Sequence, residues 1–147
     1  MQSFIYPATL TPDKEDGGFV VTFVDLPEAI TQGENVEDAL SEAADCLDEA
    51  IANRIVMGLP IPSPSSAKRR RHPVLLVLAA QTAAKAALYL AIQKAQVTQA
   101  ELAKRLACDE KEVRRLLDPR HPSKLPRIES ALAALGQRLV VGLQAAA

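Results

Sequence analysis

The sequence has few of the residues on which secreted proteins and metal sites depend. Its 147 residues include only two cysteines and two histidines. Cys46 and Cys108 lie in different segments without the spacing of metal ligands, and such sparse use of cysteine fits a reducing compartment. The N-terminus has no basic region followed by an apolar run, and the longest apolar run, at residues 73–80, is too short to cross a bilayer. We therefore expect a cytoplasmic protein that does not bind a membrane.

Signs of catalysis are also scarce. The sequence contains no glycine-rich phosphate-binding loop, and its two histidines, at positions 72 and 121, have no ligand or triad partners. A single acidic surface explains the acidic residues of the first half more simply than a two-metal carboxylate site does. We predict no catalytic site, no cofactor and no bound metal, and a metal-dependent nuclease is kept as an alternative. The carboxylates that such a nuclease would use are Asp13, Asp16, Asp25, Glu28 and Glu42.

A formal net charge of −1 hides two halves of opposite sign. Residues 1–62 contain two basic and twelve acidic side chains, whereas residues 63–147 contain fifteen basic and six acidic side chains. Such asymmetry indicates nucleic acid as the partner of the basic half and a basic molecule as the partner of the acidic half. The alternative is two solvated surfaces that attract each other.

β-Forming residues in the first half of the chain predict a small sheet. Three short runs separated by turn signals indicate a β-meander. A fourth apolar run would return to this meander after a helix, which gives the order β-β-β-α-β. The four predicted strands occupy residues 4–11, 19–24, 29–33 and 74–78.

A long amphipathic helix is predicted between the third and fourth strands. Its apolar residues repeat at three- and four-residue steps from Val36 to Ile55. Asn35 is placed as its N-cap, and Gly58 is placed just beyond its end. The segment that follows, at residues 60–72, has the composition of a linker. Its basic run at 68–71 could contact a phosphate backbone or simply face water.

The stretch at residues 98–118 has the pattern of a helix-turn-helix. Helical spacing predicts one helix over 99–106 and a second over 110–118, joined by only three residues. Thr98 and Asp109 are placed to cap them. The alternative is a plain helical hairpin within a core. Further helices are predicted over residues 81–96 and 126–135, and a short strand or pairing segment over 138–143.

The second helix of this pair would enter the DNA major groove with its N-terminus first. Lys111 and Arg115 can pair with guanine acceptors, and Glu110 can accept a hydrogen bond from a cytosine amine. Phosphate contacts are expected from the start of the first helix and from the loop after the second. The predicted DNA-binding residues are Gln99, Glu110, Lys111, Arg114, Arg115, Arg120, Ser123 and Lys124.

The opening of the first helix, Gln99 to Ala103, resembles the phage-repressor (Xre/Cro-like) helix-turn-helix family. That family usually has glycine where Ala107 stands, so the turn is expected to be slightly strained or differently closed. Because twofold symmetric dimers match paired half-sites, we predict a dimer, formed through the C-terminal domain, on a palindromic operator.

Short motifs stand in a fixed order along the chain, with Asp-Leu-Pro followed by Thr-x-Gly and then by Glu-Asp-Ala-Leu at the helix start. This order is more specific than any one of the motifs. The segments concerned are residues 4–8, 18–21, 23–29, 31–33, 36–40 and 58–62. Through these segments the whole chain resembles the HicB antitoxin family, which usually has glycine where Glu28 stands.

The predicted fold class is α+β, with a β-β-β-α-β domain at residues 1–79 and an all-α helix-turn-helix domain at 80–147. The resemblance implies that the first domain is a partly degraded RNase H-like domain without a working nuclease site. It also implies a HicA toxin, a small basic mRNA-cleaving RNase, as partner, and repression of the shared operon. Charge complementarity with the acidic half agrees with such a partner. The expected toxin-binding residues are Phe19, Phe23, Asp25, Leu26, Glu28 and Gln32.

Together these features predict a type II antitoxin that neutralises a HicA-like toxin by direct binding and represses its own operon. Two dimers could join through their N-terminal domains into a tetramer. The alternative function is a stand-alone transcriptional repressor whose N-terminal domain senses a small ligand.

Overall fold

The computed structural model describes residues 1–69 and 71–146. The chain divides into two compact units, Met1–Ala83 and Ala84–Ala147. Arg70, within the predicted basic run, and Ala147 lie outside the described residues. No helix of the described part of the chain combines the length and the apolar character that crossing a bilayer requires.

A four-stranded antiparallel sheet forms the first unit together with one long helix. The strand order is β3-β2-β1-β4, so the first three strands form the predicted meander and the last returns to pair with β1. This arrangement confirms the predicted order of strands and helix. The strands are β1 (Ile5–Pro12), β2 (Phe19–Phe23), β3 (Ile30–Gly33) and β4 (Val74–Val77).

Helix α1 (Val36–Met57) begins and ends where the sequence predicts. The Asn35 side chain accepts a hydrogen bond from the Asp38 amide at 2.8 Å, which satisfies one of the free donors of the first turn. Gly58 ends the helix in the left-handed conformation, at φ 68°. Gly33 allows β3 to pass close to the helix, because a Cβ there would lie 2.3 Å from the Ala39 amide nitrogen.

The core of the first unit lies between α1 and one face of the sheet. Tyr6, Val21 and Leu76 share that face through the antiparallel register, and all three are buried. The opposite face of the sheet is more open, and its apolar residues include Leu75, at 47 % exposure, and Val77, at 57 %. The helix contributes Ala39, Ala43, Leu47, Ile51 and Ile55 to the core.

The proline-rich segment after α1 is anchored at several points along its length. Ile61 is buried, and the Tyr6 hydroxyl donates to the Pro62 carbonyl at 2.8 Å. The Arg54 guanidinium donates to the Pro60 carbonyl at 2.6 Å. The linker predicted from composition therefore follows the surface of the first unit as a fixed strap, which we call the proline strap (residues 60–65).

Four helices form the second part of the chain, and the division between the units falls within the first of them. Leu88, Leu116, Ile128 and Leu132 are buried in a common apolar cluster. Residues 138–146 have no regular secondary structure, so the strand predicted at 138–143 is not formed by the single chain. The helices are α2 (Ala80–Ala95), α3 (Gln99–Arg105), α4 (Glu110–Leu117) and α5 (Leu125–Ala134).

Candidate functional site

Helices α3 and α4 are joined by a short turn and are capped as the sequence predicts. The Thr98 hydroxyl accepts a hydrogen bond from the Glu101 amide at 3.1 Å. The Asp109 carboxylate accepts one from the Glu112 amide at 2.9 Å. Each helix ends one residue earlier than predicted. Leu102 and Val113 hold the two helices together in one buried cluster, so the angle between α3 and α4 is set by core packing.

The turn between these helices depends on Ala107, which has a φ of 51°. The left-handed conformation crowds the Cβ of an L-residue, and glycine adopts it at lower cost. Around it the Cys108 amide donates to the Ala103 carbonyl at 3.0 Å and the Ala107 amide donates to the Lys104 carbonyl at 3.1 Å. The backbone strain expected in this turn therefore lies at Ala107, and the two hydrogen bonds close the turn despite it.

Helix α4 presents a basic face opposite its buried face. Val113 and Leu116 are buried, whereas Lys111, Arg114 and Arg115 are exposed. Lys111 and Arg115 are four residues apart and therefore neighbours on the helix surface. Core packing of Val113 and Leu116 therefore fixes the orientation of the helix whose opposite face carries the basic side chains.

The C-terminal end of α4 is held by a lysine that the chain buries completely. The Lys85 Nζ donates to the carbonyls of Arg115 at 2.9 Å and Leu116 at 3.1 Å, and to the Ser123 hydroxyl at 2.9 Å. Burial lowers the pKa of Lys85, because the charged ammonium loses water. One side chain from α2 thus ties the end of α4 to the loop that follows it.

The loop after α4 carries the remaining basic residues of the predicted set. Its course is fixed at the start, where the Arg120 amide donates to the Asp118 carboxylate at 2.9 Å. Arg115, Ser123 and Lys124 line one surface groove of about 240 Å³. Arg127 also lines it and contacts Glu112 at 3.2 Å. The structure therefore brings helix and loop members of the set together, while half-buried Ser123 is held by Lys85.

Two other members of the set lie at helix starts. Gln99 is the first residue of α3 and Glu110 the first residue of α4, and both are exposed. The exposed Arg105 side chain donates to the Ala134 carbonyl at 3.2 Å, so it links α3 to the end of α5. Gln99 and Glu110 therefore stand at the positive ends of two helix dipoles, and at the start of α4 that dipole stabilises the Glu110 carboxylate.

The acidic residues predicted at the toxin surface are held in place by contacts within the first unit. The Asp25 carboxylate accepts hydrogen bonds from the Ser65 amide at 3.0 Å and the Ser65 hydroxyl at 3.2 Å. Glu28 forms a two-point ion pair with Arg54, at 2.6 and 3.1 Å. The hydrogen bond from Arg54 lowers the pKa of Glu28, so this carboxylate stays charged. Both groups are fixed carboxylates at the edge of the proline strap.

The apolar residues of the same predicted set occupy different environments. Phe23 is 2 % exposed and Leu26 is fully buried, because both side chains complete the core of the first unit. Neither side chain reaches the surface in this conformation, contrary to a direct role in binding. Phe19 is half-buried and Gln32 is exposed on β3.

Several residues that shape these surfaces escaped the sequence-based prediction. Lys85 lies three residues before Leu88 and therefore on the side of α2 that faces the core. This helical spacing was the signal in the sequence that Lys85 is buried. Ile30 is 62 % exposed and lies two residues before Gln32 on the same face of β3, so the alternation of strand residues could have indicated it. Val24 is 51 % exposed beside Asp25, and the same alternation in the predicted strand 19–24 sets it apart from the buried Val21 and Phe23.

Metal-ligating residues do not gather in the described part of the chain: no group of three His, Cys, Asp or Glu side chains lies close enough to hold an ion. Burial raises the pKa of both Cys46 and Cys108, which favours their thiol forms.

Comparisons with known proteins identify the class. The sequence model of a family described as HicB_like antitoxin of bacterial toxin-antitoxin system matches residues 5–87. The chain is thus an antitoxin of a toxin–antitoxin system, with a regulatory role and a toxin as its partner. More particularly, it belongs to the HicB-like antitoxin family.

Similarity to curated relatives extends over nearly the whole chain. Antitoxin HicB of Escherichia coli K12 is 37 % identical over 139 residues, which are 91 % of this chain and 95 % of the relative. Antitoxin HicB 1 of Photorhabdus laumondii is 34 % identical over 139 residues, covering 95 % of this chain and 86 % of the relative. Antitoxin HicB of Pseudomonas fluorescens is 32 % identical over 144 residues, 98 % of each chain.

Proposed function

We propose that this antitoxin neutralises a HicA-like mRNA-cleaving toxin through its N-terminal domain and represses its own operon through a DNA-binding C-terminal domain. The proposed domains are residues 1–79 and 80–147. Two short helices joined by a tight turn, α3 and α4, support the proposed helix-turn-helix. Its Xre/Cro-like type is a prediction from the resemblance of residues 99–103. An RNase H-like origin of the sheet and α1 remains a prediction from the family resemblance.

The exposed basic face of α4 is the observation that carries the DNA-binding part of the proposal. Lys111 and Arg115 lie where base edges would be met if α4 entered the major groove. Arg120 and Lys124, in the following loop, would then contact the phosphates beside that groove. Glu110 and Arg114 complete the helix surface, and Gln99 would add a phosphate contact at the start of α3.

An operator-binding measurement tests this surface. We expect Arg115→Ala to weaken binding to operator DNA by about 1–3 kcal/mol, because a bidentate base contact is lost. Lys94→Ala, an exposed lysine of α2 outside the proposed set, is the matched control. Binding of the native chain should fall steeply with salt, since each neutralised phosphate releases counterions. Equal affinities of both variants, or a flat salt response, would contradict the proposal.

The acidic character of the first unit supports the toxin-binding part. Residues 1–83 contain twelve acidic and six basic side chains, and a basic RNA-cleaving toxin is the complementary partner. We place the direct contact on Phe19, Asp25, Glu28 and Gln32, with Phe23 and Leu26 supporting them from the core. The exposed apolar residues Val24 and Ile30 lie in the same region of the chain and extend the proposed surface.

Co-purification tests the toxin-binding part. The tagged chain, recovered from its native cells, should carry a small basic protein that stops growth when expressed alone. Gln32→Ala should then weaken the complex, whereas Asp45→Asn, an exposed acid on α1, should not. Arg115→Ala should leave neutralisation intact, because it acts on the other domain. Recovery of DNA binding without any protein partner would instead favour a ligand-sensing repressor.

A further inference from the structure

The surface groove between the end of α4 and the start of α5, which we call the α4–α5 groove, has a buried positive charge behind its wall. The Lys85 side chain is fully buried. Its Nζ donates to the carbonyls of Arg115 and Leu116 and to the Ser123 hydroxyl, and all three acceptors belong to residues that line the groove. Because only the protonated ammonium has three N–H groups, these three hydrogen bonds require the charged form.

Neutral groups accept all three of these hydrogen bonds. Neither a carbonyl nor a hydroxyl neutralises an ammonium, and a buried charge without a countercharge is costly. The negative charge of Asp118 opposes the lowering of the Lys85 pKa, but burial outweighs it. The Asp118 carboxylate also accepts a hydrogen bond from the Arg120 amide. An anion in the groove would supply the countercharge that the hydrogen-bond acceptors of Lys85 do not provide.

The start of α5 adds positive charge to the same groove. Lys124 and Arg127 line it from the N-cap position and from the first turn of this helix, and both are exposed. No side chain caps the start of α5 with a hydrogen bond. The positive end of a helix without such a cap favours an anion. Two cationic side chains and a helix start thus act together with the buried ammonium.

The size and the donors of the groove suit a phosphate group. Its volume of about 240 Å³ is below the roughly 300–1,000 Å³ of pockets that hold whole small molecules. Arginine, lysine and hydroxyl donors are the groups that bind phosphate oxygens. The Ser123 hydroxyl accepts a hydrogen bond from an ammonium, which strengthens it as a donor in turn.

One carboxylate lines the groove as well and engages one of its cations. The Glu112 carboxylate lies 3.2 Å from the Arg127 guanidinium, and both side chains are about half exposed, at 47 % and 45 %. An ion pair of this exposure is weak. A phosphate can therefore take Arg127 from it, since the guanidinium binds phosphate through two parallel hydrogen bonds. Glu112 competes with the anion for this cation.

We propose that the α4–α5 groove binds one phosphate group. Ser123, Lys124 and Arg127 hold it, and the charge of Lys85 stabilises it from behind. Glu112 weakens this binding by pairing with Arg127. Where the phosphate belongs to a DNA backbone, the inference rests on the proposed operator binding and deepens it by naming the groove that grips the strand.

The salt dependence of DNA binding tests the contact of Arg127. Arg127→Ala should weaken binding to the operator and to unrelated DNA by the same factor, about tenfold, because a backbone contact carries no sequence information. It should also reduce the slope of affinity against salt by about 0.9. Lys94→Ala, outside the groove, is the matched control. A loss confined to the operator sequence, or an unchanged slope, would overturn the placement of a backbone phosphate in this groove.

The role of Glu112 has a test of opposite sign. Glu112→Gln should tighten binding to both DNAs by about two- to fivefold, because it releases Arg127 from the ion pair. Glu129→Gln, an exposed acid of α5 that does not line this groove, is the matched control. The gain should be largely lost in an Arg127→Ala background. An equal gain in that background, or from Glu129→Gln, would overturn the role of Glu112.

Inorganic phosphate separates the groove from the operator. In the full-length chain, the amide NMR signals of Ser123, Lys124 and Arg127 should shift saturably with sodium phosphate at constant ionic strength. Arg127→Ala should abolish the saturation. A native chain whose signals do not saturate would overturn the phosphate site, and operator binding through Arg115 would stand.

Two further outcomes identify the source of the phosphate. If the signals saturate while the native chain binds no DNA, operator binding fails and the groove stands as a site for a free phosphate group. If they saturate while Arg127→Ala keeps the DNA affinity and salt slope of the native chain, the phosphate site and operator binding both stand, but the backbone of the operator does not occupy the groove.

Discussion

The two units hold their key irregular segments in opposite ways. In the first unit, the proline strap is fixed by separate contacts from Tyr6, Asp25 and Arg54, which come from different parts of the unit. In the second unit, one buried residue, Lys85, serves two carbonyls and a hydroxyl at the end of α4. Anchoring is distributed in the first case and concentrated in the second. The second unit should therefore be the more vulnerable to a single substitution.

The largest expected effect is on the concentrated anchor. Lys85→Met should reduce the free energy of unfolding of the second unit by about 3 kcal/mol, because the carbonyls of Arg115 and Leu116 and the Ser123 hydroxyl lose their donor. Urea titration followed by circular dichroism measures the loss, and the exposed Lys94→Met is the control. If Lys85→Met lost no more unfolding free energy than Lys94→Met, the second unit would not depend on one anchoring residue.

A smaller effect is expected from one contact of the distributed anchor at high pH. Burial, together with the charge of Asp25, raises the pKa of Tyr6 to about 12. The folded state therefore holds this proton more tightly than the unfolded chain, and the associated stability is present below pH 10 and is lost as the pH rises towards 12. Two pKa units correspond to roughly 2–3 kcal/mol.

The Tyr6→Phe variant isolates this effect. At neutral pH it should be about 1 kcal/mol less stable, because the hydrogen bond to the Pro62 carbonyl is missing. Above pH 10 the gap should close, since the variant has no proton to lose at this position. Unfolding curves at several pH values, with tyrosinate absorbance as the titration signal, measure both. If the stability difference between the native chain and the Tyr6→Phe variant grew as the pH rose, the predicted loss of stability on ionisation of Tyr6 would be wrong.

A gain in stability is expected in the turn between α3 and α4. Ala107→Gly should stabilise the second unit by about 0.5–1 kcal/mol, because the left-handed conformation no longer crowds a Cβ and this gain outweighs the greater freedom of glycine in the unfolded chain. Ala100→Gly, in an exposed position within α3, is the matched control and should lose about 0.5–1 kcal/mol. Losses of similar size in both variants would show that the turn is not strained.

The smallest effect concerns the exposed ion pair beside the proline strap. Glu28→Gln should cost less than about 1 kcal/mol at neutral pH, because water screens a carboxylate of this exposure. Arg54 lowers the pKa of Glu28, so the stabilisation is present above the ordinary value of 4.5 and is lost as the pH falls through the lowered pKa. The melting temperatures of the native chain and the Glu28→Gln variant should therefore differ slightly at neutral pH and converge in acid.

Local patterns were sufficient to predict most of the secondary structure. The strands, the caps at Asn35, Thr98 and Asp109, and the helix end at Gly58 depend on residues close together in the chain. For the same reason, the exposed basic face of α4 followed from the spacing of its apolar residues.

Contacts between distant segments were beyond such patterns. The composition of residues 60–65 suggests a free linker, because nothing nearby in sequence shows that Tyr6 and Asp25 are brought to them by the sheet. Phe23 and Leu26 belong to a motif that sequence reasoning placed at a surface, yet the core needs their volume. The role of Lys85 required knowing where α4 ends relative to α2.

The proline strap also bears on how long the protein survives in a cell. A protease needs several consecutive residues to detach and enter its active site as an extended chain, and exposed connecting segments are often where this happens. Here detachment would require the contacts of Tyr6, Arg54 and Asp25 to break together, along with exposure of Ile61. Turnover that starts at this segment should therefore follow the unfolding of the whole first unit.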